Sequence, residues 1–317
     1  MSAPALRLGT RRSPMALVQA GHVARLITER TGLAVELVTV TTFGDVSRAE
    51  LAQIGGTGVF VSGLRERLLA GEVDLAVHSL KDLPTASAEG IELAAVPARD
   101  DPRDALVTAG GVKLADLPAG ARIGTGSPRR AAQLLLLRPD TTPVPVRGNA
   151  GTRLAKVRSG ELDAVVLGYA GLARIGRLDA VAEVFEPDEM LPAPGQGALA
   201  VECATGADAL LALLAVTDDA PSRAAVTAER SLLAALQGGC SAPVGAYAAH
   251  IAATDTVHLR AAVFDRDGGG AVRAAGGAAA AAALELGRQV ATELLRRGAG
   301  GYISVPEARP SEGGEPL

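Results

Sequence analysis

The chain has 317 residues, a length typical of roughly two domains of about 150 residues each. Of these residues 48% are hydrophobic and 21% are charged, which excludes a disordered chain and allows buried cores. The net charge of −4 argues against a protein that binds nucleic acid along its whole length. Nearly all of the positive charge is arginine, which indicates either codon usage or a site that binds carboxylates or phosphates. The lysines are Lys81, Lys113 and Lys156.

Two cysteines, Cys203 and Cys240, are too few for a disulfide framework and lack the spacing of a zinc site, so we expect no metal. The first twelve residues lack the apolar segment of a signal peptide. No uncharged apolar run reaches the roughly 18 residues that span a membrane. These features favour a soluble cytoplasmic protein that binds no membrane.

The first third of the chain predicts alternating strands and helices, which is typical of a parallel sheet in an α/β domain. Ser13 and Pro14 form a helix start, and Gly32 is expected to end that helix. The predicted elements are a strand at Ala5–Leu8, a helix from Pro14 to Gly32, a strand at Val35–Val40, a helix through Phe60, Leu64 and Leu68 that stops at Gly71, and a strand at Val73–Val77.

Two interruptions divide the middle of the chain. The charged segment Arg99–Asp104 contains a proline and is predicted to be a hinge, and Leu191–Gly197 is a second break. The segment Ala198–Glu202 is predicted to be a strand that returns to the first sheet. Between the breaks we expect strands at Ile123, Val144–Val146 and Asp163–Leu167, and helices at Arg129–Leu137 and Thr152–Ser159.

The last third has a different pattern, with helices at Ser222–Leu236 and Leu284–Arg297 and a half-buried strand at Val257–Phe264, which predicts an α+β module. Two α/β units joined by two crossings form a clamshell, with a ligand cleft between them. The expected domains are domain 1 (1–98 and 198–217), domain 2 (103–193), domain 3 (219–306) and a disordered tail (307–317).

Arginine and hydroxyl residues recur just after the predicted strands, where α/β sheets bind ligands. Such a cleft should bind a polyanion, most simply a molecule with several carboxylates or phosphates. For any single arginine the alternative is a helix cap or a hinge ion pair. The recurring residues are Arg11, Arg12, Ser13, Ser79, Lys81, Thr125, Ser127, Arg129, Arg130, Arg147, Asn149, Thr152, Arg153, Arg174 and Arg177.

Two further residues could carry chemistry. Asp82 is a carboxylate among cations, a candidate for proton transfer or for holding a substrate N–H, although it could instead cap a turn or pair with Lys81. Cys240 lies on a glycine-rich loop, where a thiol could be a nucleophile or an attachment point, or could simply be packed. Cys203 has the surroundings of an ordinary packed residue.

Taken together, these motifs resemble the hydroxymethylbilane synthase family, also called the porphobilinogen deaminase family. They occur in family order across residues 9–245. The matching stretches are Gly9–Ala16, Val73–Pro84, Asp101–Ala105, Gly124–Gln133, Val146–Leu154, Ala193–Ala198 and Leu236–Gly245.

The resemblance implies two domains like those of periplasmic clamshell binding proteins, followed by an α+β domain that carries a cysteine loop. It implies a transferase that condenses four porphobilinogen molecules head to tail into hydroxymethylbilane, with release of ammonia, on a covalent dipyrromethane cofactor. It further implies a monomer. The competing hypothesis is a two-domain anion-binding or regulatory protein that shares only the clamshell, and the Cys240 loop discriminates against it.

The resemblance also implies a role for each matching residue. Asp82 would be catalytic and Cys240 would carry the cofactor through a thioether. The segment Asp45–Phe60 would be a flap, although family members often have basic residues where this chain has Phe43, Gln53, Thr57 and Ser62. Cofactor contacts would come from Lys81, Ser127, Arg129, Arg130 and Gln196, and substrate contacts from Arg11, Ser13, Ser79, Arg147, Arg153 and Arg174.

Overall fold

The computed structural model describes residues 5–40, 61–238 and 242–303. Within these ranges the chain forms three β-sheets with helices packed on them. The strands are β1 (Leu6–Arg11), β2 (Val35–Val40), β3 (Leu75–Ser79), β4 (Ile91–Ala95), β5 (Asp104–Thr108), β6 (Arg122–Gly124), β7 (Thr142–Val144), β8 (Ala164–Gly168), β9 (Val181–Phe185), β10 (Leu199–Ala204), β11 (Val244–Ile251), β12 (Thr256–Phe264) and β13 (Ala271–Ala279). The helices are α1 (Pro14–Thr31), α2 (Ser62–Leu69), α3 (Pro128–Leu137), α4 (Ala150–Arg158), α5 (Tyr169–Arg174), α6 (Asp208–Leu214), α7 (Ala220–Ala235), α8 (Ala283–Arg296) and α9 (Gly300–Ile303).

The first two sheets share one topology. Their strand orders are β2-β1-β3-β10-β4 and β7-β6-β8-β5-β9. In the first sheet β10 runs antiparallel to both of its neighbours, and in the second sheet β5 does the same. Each of these strands directly follows a crossing between the sheets: β5 follows residues 96–103, and β10 follows residues 186–198. The predicted pair of α/β units joined by two crossings is therefore confirmed, including the return of the chain to the first sheet.

Helix α1 forms where its sequence signals predict. The Oγ of Ser13 accepts a hydrogen bond from the backbone N–H of Ala16 at 3.3 Å, and Pro14 is the first helical residue. Gly32 ends the helix with φ 74°, a left-handed conformation in which glycine meets no steric penalty. Val23 and Ile27 are buried in the core of the first sheet.

One end of the predicted hinge is wrong. The sequence predicts an irregular segment through Asp104, but Asp104 is the first residue of β5 and is completely buried. A charged residue at the start of a buried strand is tolerated here because two arginines pair with it. Strands β4, β5, β9, β11 and β13 are absent from the sequence prediction. Strand β13 consists mostly of alanine and glycine, which have low strand propensity, so only its pairing with β12 makes it a strand.

The last unit is the predicted α+β module. The sheet β11-β12-β13 is antiparallel and packs against α7 and α8, with Leu232, Leu259 and Val290 in the shared core. The two helices approach closely at Gly287, where an added Cβ would lie 2.8 Å from the backbone nitrogen of Leu232. No helix in the described ranges is long and apolar enough to cross a membrane.

Candidate active site

Asp82 lies in a short turn directly after β3. The turn Leu80–Asp82 is held by buried leucines on both sides, and Leu83 N–H donates to the Leu80 carbonyl at 3.1 Å. Leu80 N–H donates to the carbonyl of Ala198 at 3.0 Å, which connects the turn to the second crossing. The Asp82 side chain is exposed, and no described residue forms a hydrogen bond or an ion pair with it. Among the described residues Asp82 forms no capping hydrogen bond and no ion pair with Lys81, although its negative charge acts to raise the pKa of that lysine.

Lys81, the residue before Asp82, contacts the second crossing. Its Nζ lies 3.5 Å from Oε1 of Gln196, a buried residue of the second crossing. Burial lowers the pKa of Lys81 to about 8, and the positive charge of Arg130 acts in the same direction. A lysine with this pKa holds a carboxylate while it is protonated and loses that ability in mildly alkaline solution.

A buried carboxylate brings three predicted cofactor-binding residues together. Nη2 of Arg130 lies 2.7 Å from Oδ1 of Asp104, and Nη1 of Arg129 lies 2.8 Å from Oδ2. Nε2 of Gln196 donates to Asp104 Oδ1 at 2.8 Å, while its Oε1 accepts from Arg130 at 3.3 Å. Burial would raise the pKa of Asp104, but the charges of the two arginines outweigh it and hold the pKa well below its usual range.

Asp104 is missing from the predicted site residues, although the motif Asp101–Ala105 contains it. The signal was present in the sequence, but a carboxylate beside a proline and other charges is typical of an exposed hinge. Only the contact with Arg129 and Arg130, which lie in the first turn of α3, identifies it as the anion at the centre of the site.

The centre keeps a surplus of positive charge. Asp104 is the one carboxylate that contacts Arg129, Arg130 and Gln196 among the described residues, and Lys81 adds a third cation beside them. The Nε of Arg129 is buried and has no hydrogen-bond partner in the described part of the chain. Buried cations that outnumber their anions favour an additional anionic ligand.

Further predicted residues lie at the carboxyl ends of β6 and β7. Ser127 is the N-cap of α3, and its Oγ accepts from the Arg130 N–H at 3.4 Å. Arg147 is exposed and follows β7. Arg153 is half-buried in α4 and donates to the carbonyl of Gly148 at 3.0 Å; burial and the charge of Arg130 lower its pKa.

The first unit presents its predicted residues at the equivalent edge. Arg11 ends β1 and Ser79 ends β3, and these two strands are parallel neighbours, so both residues lie at the same edge of the sheet. Ser13 caps α1 at this edge. The Oγ of Ser79 accepts a hydrogen bond of 2.7 Å from the side-chain amide of Gln19, which holds it in place.

Arg174 occupies a different position from the other arginines. Its Nε donates to Asp100 at 2.9 Å and its Nη2 donates to the carbonyl of Gly197 at 2.7 Å, so it connects α5 to both crossings. This is the hinge ion pair that the sequence left open as an alternative. Cys240 and the predicted flap Asp45–Phe60 lie outside the described residues.

A second buried carboxylate ties the last unit to both crossings. Glu229 of α7 is fully buried and accepts two hydrogen bonds from Arg99, at 2.7 and 3.0 Å, and one from the Gly195 N–H at 2.6 Å. Arg99 also donates to the carbonyl of Gln196 at 2.8 Å. No pattern in the sequence singles out Glu229, because its partners are far from it along the chain.

Comparison with known proteins is consistent along the whole chain. Residues 6–212 match the family model "Porphobilinogen deaminase, dipyromethane cofactor binding domain", and residues 223–296 match "Porphobilinogen deaminase, C-terminal domain". The chain is 62% identical to a porphobilinogen deaminase of Thermobifida fusca, over 98% of this chain and 100% of that protein. It is 56% identical to porphobilinogen deaminase 1 of Streptomyces coelicolor, over 96% and 98%.

Among solved structures, a periplasmic substrate-binding protein of an ABC transporter from Coxiella burnetii aligns with a TM-score of 0.43 at 16% identity, covering 71% of this chain and 94% of that one. A similarity of this size does not bear on the ligand or the activity of the chain. The two family models and the near full-length identities show the family: the chain belongs to the porphobilinogen deaminase family.

Proposed function

We propose that this chain condenses four porphobilinogen molecules head to tail, with release of ammonia at each step, into the linear tetrapyrrole hydroxymethylbilane. The reaction would run on a dipyrromethane cofactor bound covalently to Cys240. The observation that carries the proposal is that the exposed Asp82, which has no hydrogen bond or ion pair within the described ranges, adjoins Lys81 and the cationic centre around Asp104. Family membership supports the substrate and the reaction type.

The residues present fit a carboxylated pyrrole cofactor. Arg129 and Arg130 outnumber Asp104, and Lys81 adds a further cation. The buried Nε of Arg129 has no acceptor in the part of the chain that the structure describes. Acetate and propionate arms are the kind of group that arginine binds through two parallel hydrogen bonds. When bound, the dipyrromethane supplies the pyrrole carbon to which the first porphobilinogen is joined. Ser127 and Gln196 would complete its contacts.

The two sheet edges would hold substrate carboxylates. Each porphobilinogen brings two carboxylates, so a lengthening chain requires several cations along the cleft. We assign this role to Arg11, Ser13 and Ser79 in the first unit and to Arg147 and Arg153 in the second. For Arg174 we propose a role in holding the hinge, because its guanidinium already pairs with Asp100 and Gly197.

Asp82 would act on the reacting atoms. Loss of ammonia breaks the C–N bond of the aminomethyl group, the electron pair leaves with the nitrogen, and the pyrrole nitrogen becomes cationic. A carboxylate beside this nitrogen stabilises the positive charge. The same carboxylate can accept the proton that leaves the pyrrole α-carbon after the new C–C bond forms. Once protonated in this way, it can deliver that proton to the amine that departs in the next condensation.

Intact-mass spectrometry of the purified protein tests the proposal. The protein from a host that makes haem should carry an adduct of two pyrrole units, and Cys240→Ser should abolish the adduct and the activity. Cys203→Ala is the matched control, because Cys203 is buried in β10 and should leave the adduct in place. An unmodified, inactive protein would instead favour the anion-binding hypothesis.

We further propose domain bounds of 1–98 with 198–217, 103–193, and 219–306, a monomeric state and a location in the cytoplasm, with no nucleic-acid partner. The three sheets fall within these bounds, which supports the division. The net charge of −4 disfavours nucleic acid. Sedimentation analysis should give the mass of a single chain, 31.9 kDa.

A further inference from the structure

Helix α7 carries two adjacent charged residues that contact different parts of the chain. Glu229 is buried and binds the two crossings through Arg99 and Gly195. Arg230 instead donates from Nη1 to the carbonyl of Leu83 at 2.9 Å and from Nη2 to the carbonyl of Pro84 at 2.7 Å. One helix of the last unit therefore holds both the hinge and the segment that follows Asp82.

The contact with Arg230 has no substitute among the described residues. No other described residue donates a hydrogen bond to the carbonyl oxygen of Leu83 or Pro84. The turn that contains Asp82 is held at its start by the bond from Leu80 to Ala198. Its far end is held by the guanidinium of Arg230, so both ends of the turn are tied to other elements.

We infer that Arg230 is a positioning residue, which sets the Asp82 carboxylate relative to the chain that leaves the end of α7. In the sequence, Cys240, where the cofactor is proposed to be attached, follows the end of α7 at Ala235. Helix α7 thereby fixes the position of the segment that follows the proposed catalytic carboxylate. The inference rests on the roles proposed above for Asp82 and Cys240.

The distance between reacting groups is the physical reason for such a connection. Asp82 must lie beside the pyrrole nitrogen of each incoming substrate, and a displacement of about 1 Å can cost up to about a hundredfold in rate. Arg230 does not reach the substrate in this scheme. It acts through the backbone of the two residues after Asp82, so its loss should alter turnover more than it alters substrate binding.

The same helix offers a matched control. Arg223 of α7 also binds backbone carbonyls of the first unit, with Nη2 at 3.0 Å from Ala94 O and 3.5 Å from Leu93 O, and it pairs with Asp218. Its backbone partners Leu93 and Ala94 belong to β4, and it donates no described hydrogen bond to the residues of the Asp82 turn. Arg223→Gln therefore removes contacts of the same chemistry between the same helix and the same unit.

The experiment compares Arg230→Gln, Arg230→Lys and Arg223→Gln as holoenzymes. Intact mass gives cofactor content, steady-state kinetics give kcat and KM, and hydrogen–deuterium exchange reports on residues 80–86. We expect Arg230→Gln to retain the adduct, to lose about tenfold or more in kcat with KM within about twofold, and to exchange faster at 80–86. Arg230→Lys should recover part of both effects, and Arg223→Gln should change neither.

The inference is overturned if Arg230→Gln exchanges at the parent rate in residues 80–86, or if Arg223→Gln loses as much kcat as Arg230→Gln. If Arg230→Gln does not fold, Arg230→Lys decides, since it keeps the charge and loses one of the two hydrogen bonds. Asp82→Asn separates the two proposals. If it turns over normally, the role of Asp82 is wrong, whereas a slow Asp82→Asn beside fully active Arg230 variants removes only the role of Arg230.

Discussion

Arg130 and Asp104 form a buried ion pair in which Nη2 of the arginine lies 2.7 Å from Oδ1 of the aspartate. Asp104 begins β5 directly after the first crossing, and Arg130 lies in the first turn of α3. Gln196 of the second crossing contacts both side chains. Two cations of the site, Arg129 and Arg130, are therefore buried against residues that adjoin the two crossings rather than placed on an exposed surface.

Loss of the Asp104 charge should destabilise the protein. Asp104→Asn leaves the guanidinium groups of Arg129 and Arg130 buried without their anion, which should cost about 3–5 kcal/mol in the free energy of unfolding. Denaturation in urea at neutral pH measures this. Asp267→Asn, at an exposed position of the last unit, is the control and should change stability little.

The loss of unfolding free energy caused by Asp104→Asn should also depend on pH. The two arginines hold the pKa of Asp104 well below its usual range in the folded protein. As the pH falls, the unfolded chain therefore takes up a proton at Asp104 at a higher pH than the folded protein does. The carboxylate contributes its stabilisation above the ordinary pKa of aspartate and loses it as the pH falls toward the folded value. The difference between parent and Asp104→Asn should narrow in acid; a difference that is constant with pH would contradict the ion pair.

Removal of the Asp82 carboxylate should slow the reaction without unfolding the chain. The side chain is exposed and has no partner in the described residues, so Asp82→Asn should melt at the parent temperature. A general acid–base group contributes about 10²- to 10⁴-fold, and we expect kcat to fall by that order. Cofactor content by intact mass checks that the primer is present. Near-parent turnover in a fully loaded Asp82→Asn would remove Asp82 from the mechanism.

Lys81 should give substrate binding a pH dependence in the alkaline range. Its pKa is lowered to about 8, so the ammonium is present below that pH and is lost as the pH rises through it. If Lys81 holds a carboxylate of the bound chain, KM for porphobilinogen should rise above about pH 8. In Lys81→Arg the guanidinium stays charged and that rise should disappear. An identical KM profile in the two proteins would show that Lys81 does not contact the ligand.

The pair of Arg99 and Glu229 should couple the last unit to the crossings. Each single change, Arg99→Met or Glu229→Gln, leaves one buried group without its partner and should cost about 3–5 kcal/mol. The double variant should cost clearly less than the two singles together, because neither charge is then left alone. A double-mutant cycle by urea denaturation measures the coupling. Additive costs would mean that the pair contributes nothing beyond its separate packing.

Local sequence signals predicted the elements whose ends are determined by residues close together in the chain. Helix α1 begins after Ser13 and ends before Gly32 as expected, because a cap and a left-handed glycine act within one turn of the helix. The sequence did not predict β13, since its alanines and glycines have low strand propensity and its pairing with β12 depends on the tertiary fold. The prediction for Asp104 was wrong for a similar reason, because its partners Arg129 and Arg130 are more than twenty residues further along the chain.

By itself the sequence determined the class of fold, the family, and the set of residues at the carboxyl ends of the strands, since these depend on periodicity and on motifs that are contiguous in the chain. Only the tertiary structure decided how the charges are distributed among partners. In the structure Arg130 pairs with Asp104 in the cationic centre, and Arg174 pairs with Asp100 at the hinge. Asp82 has no hydrogen-bond or ion-pair partner among the described residues. The physical reason is that an ion pair depends on distance in space and on burial, and neither quantity can be read from the separation of two residues along a chain.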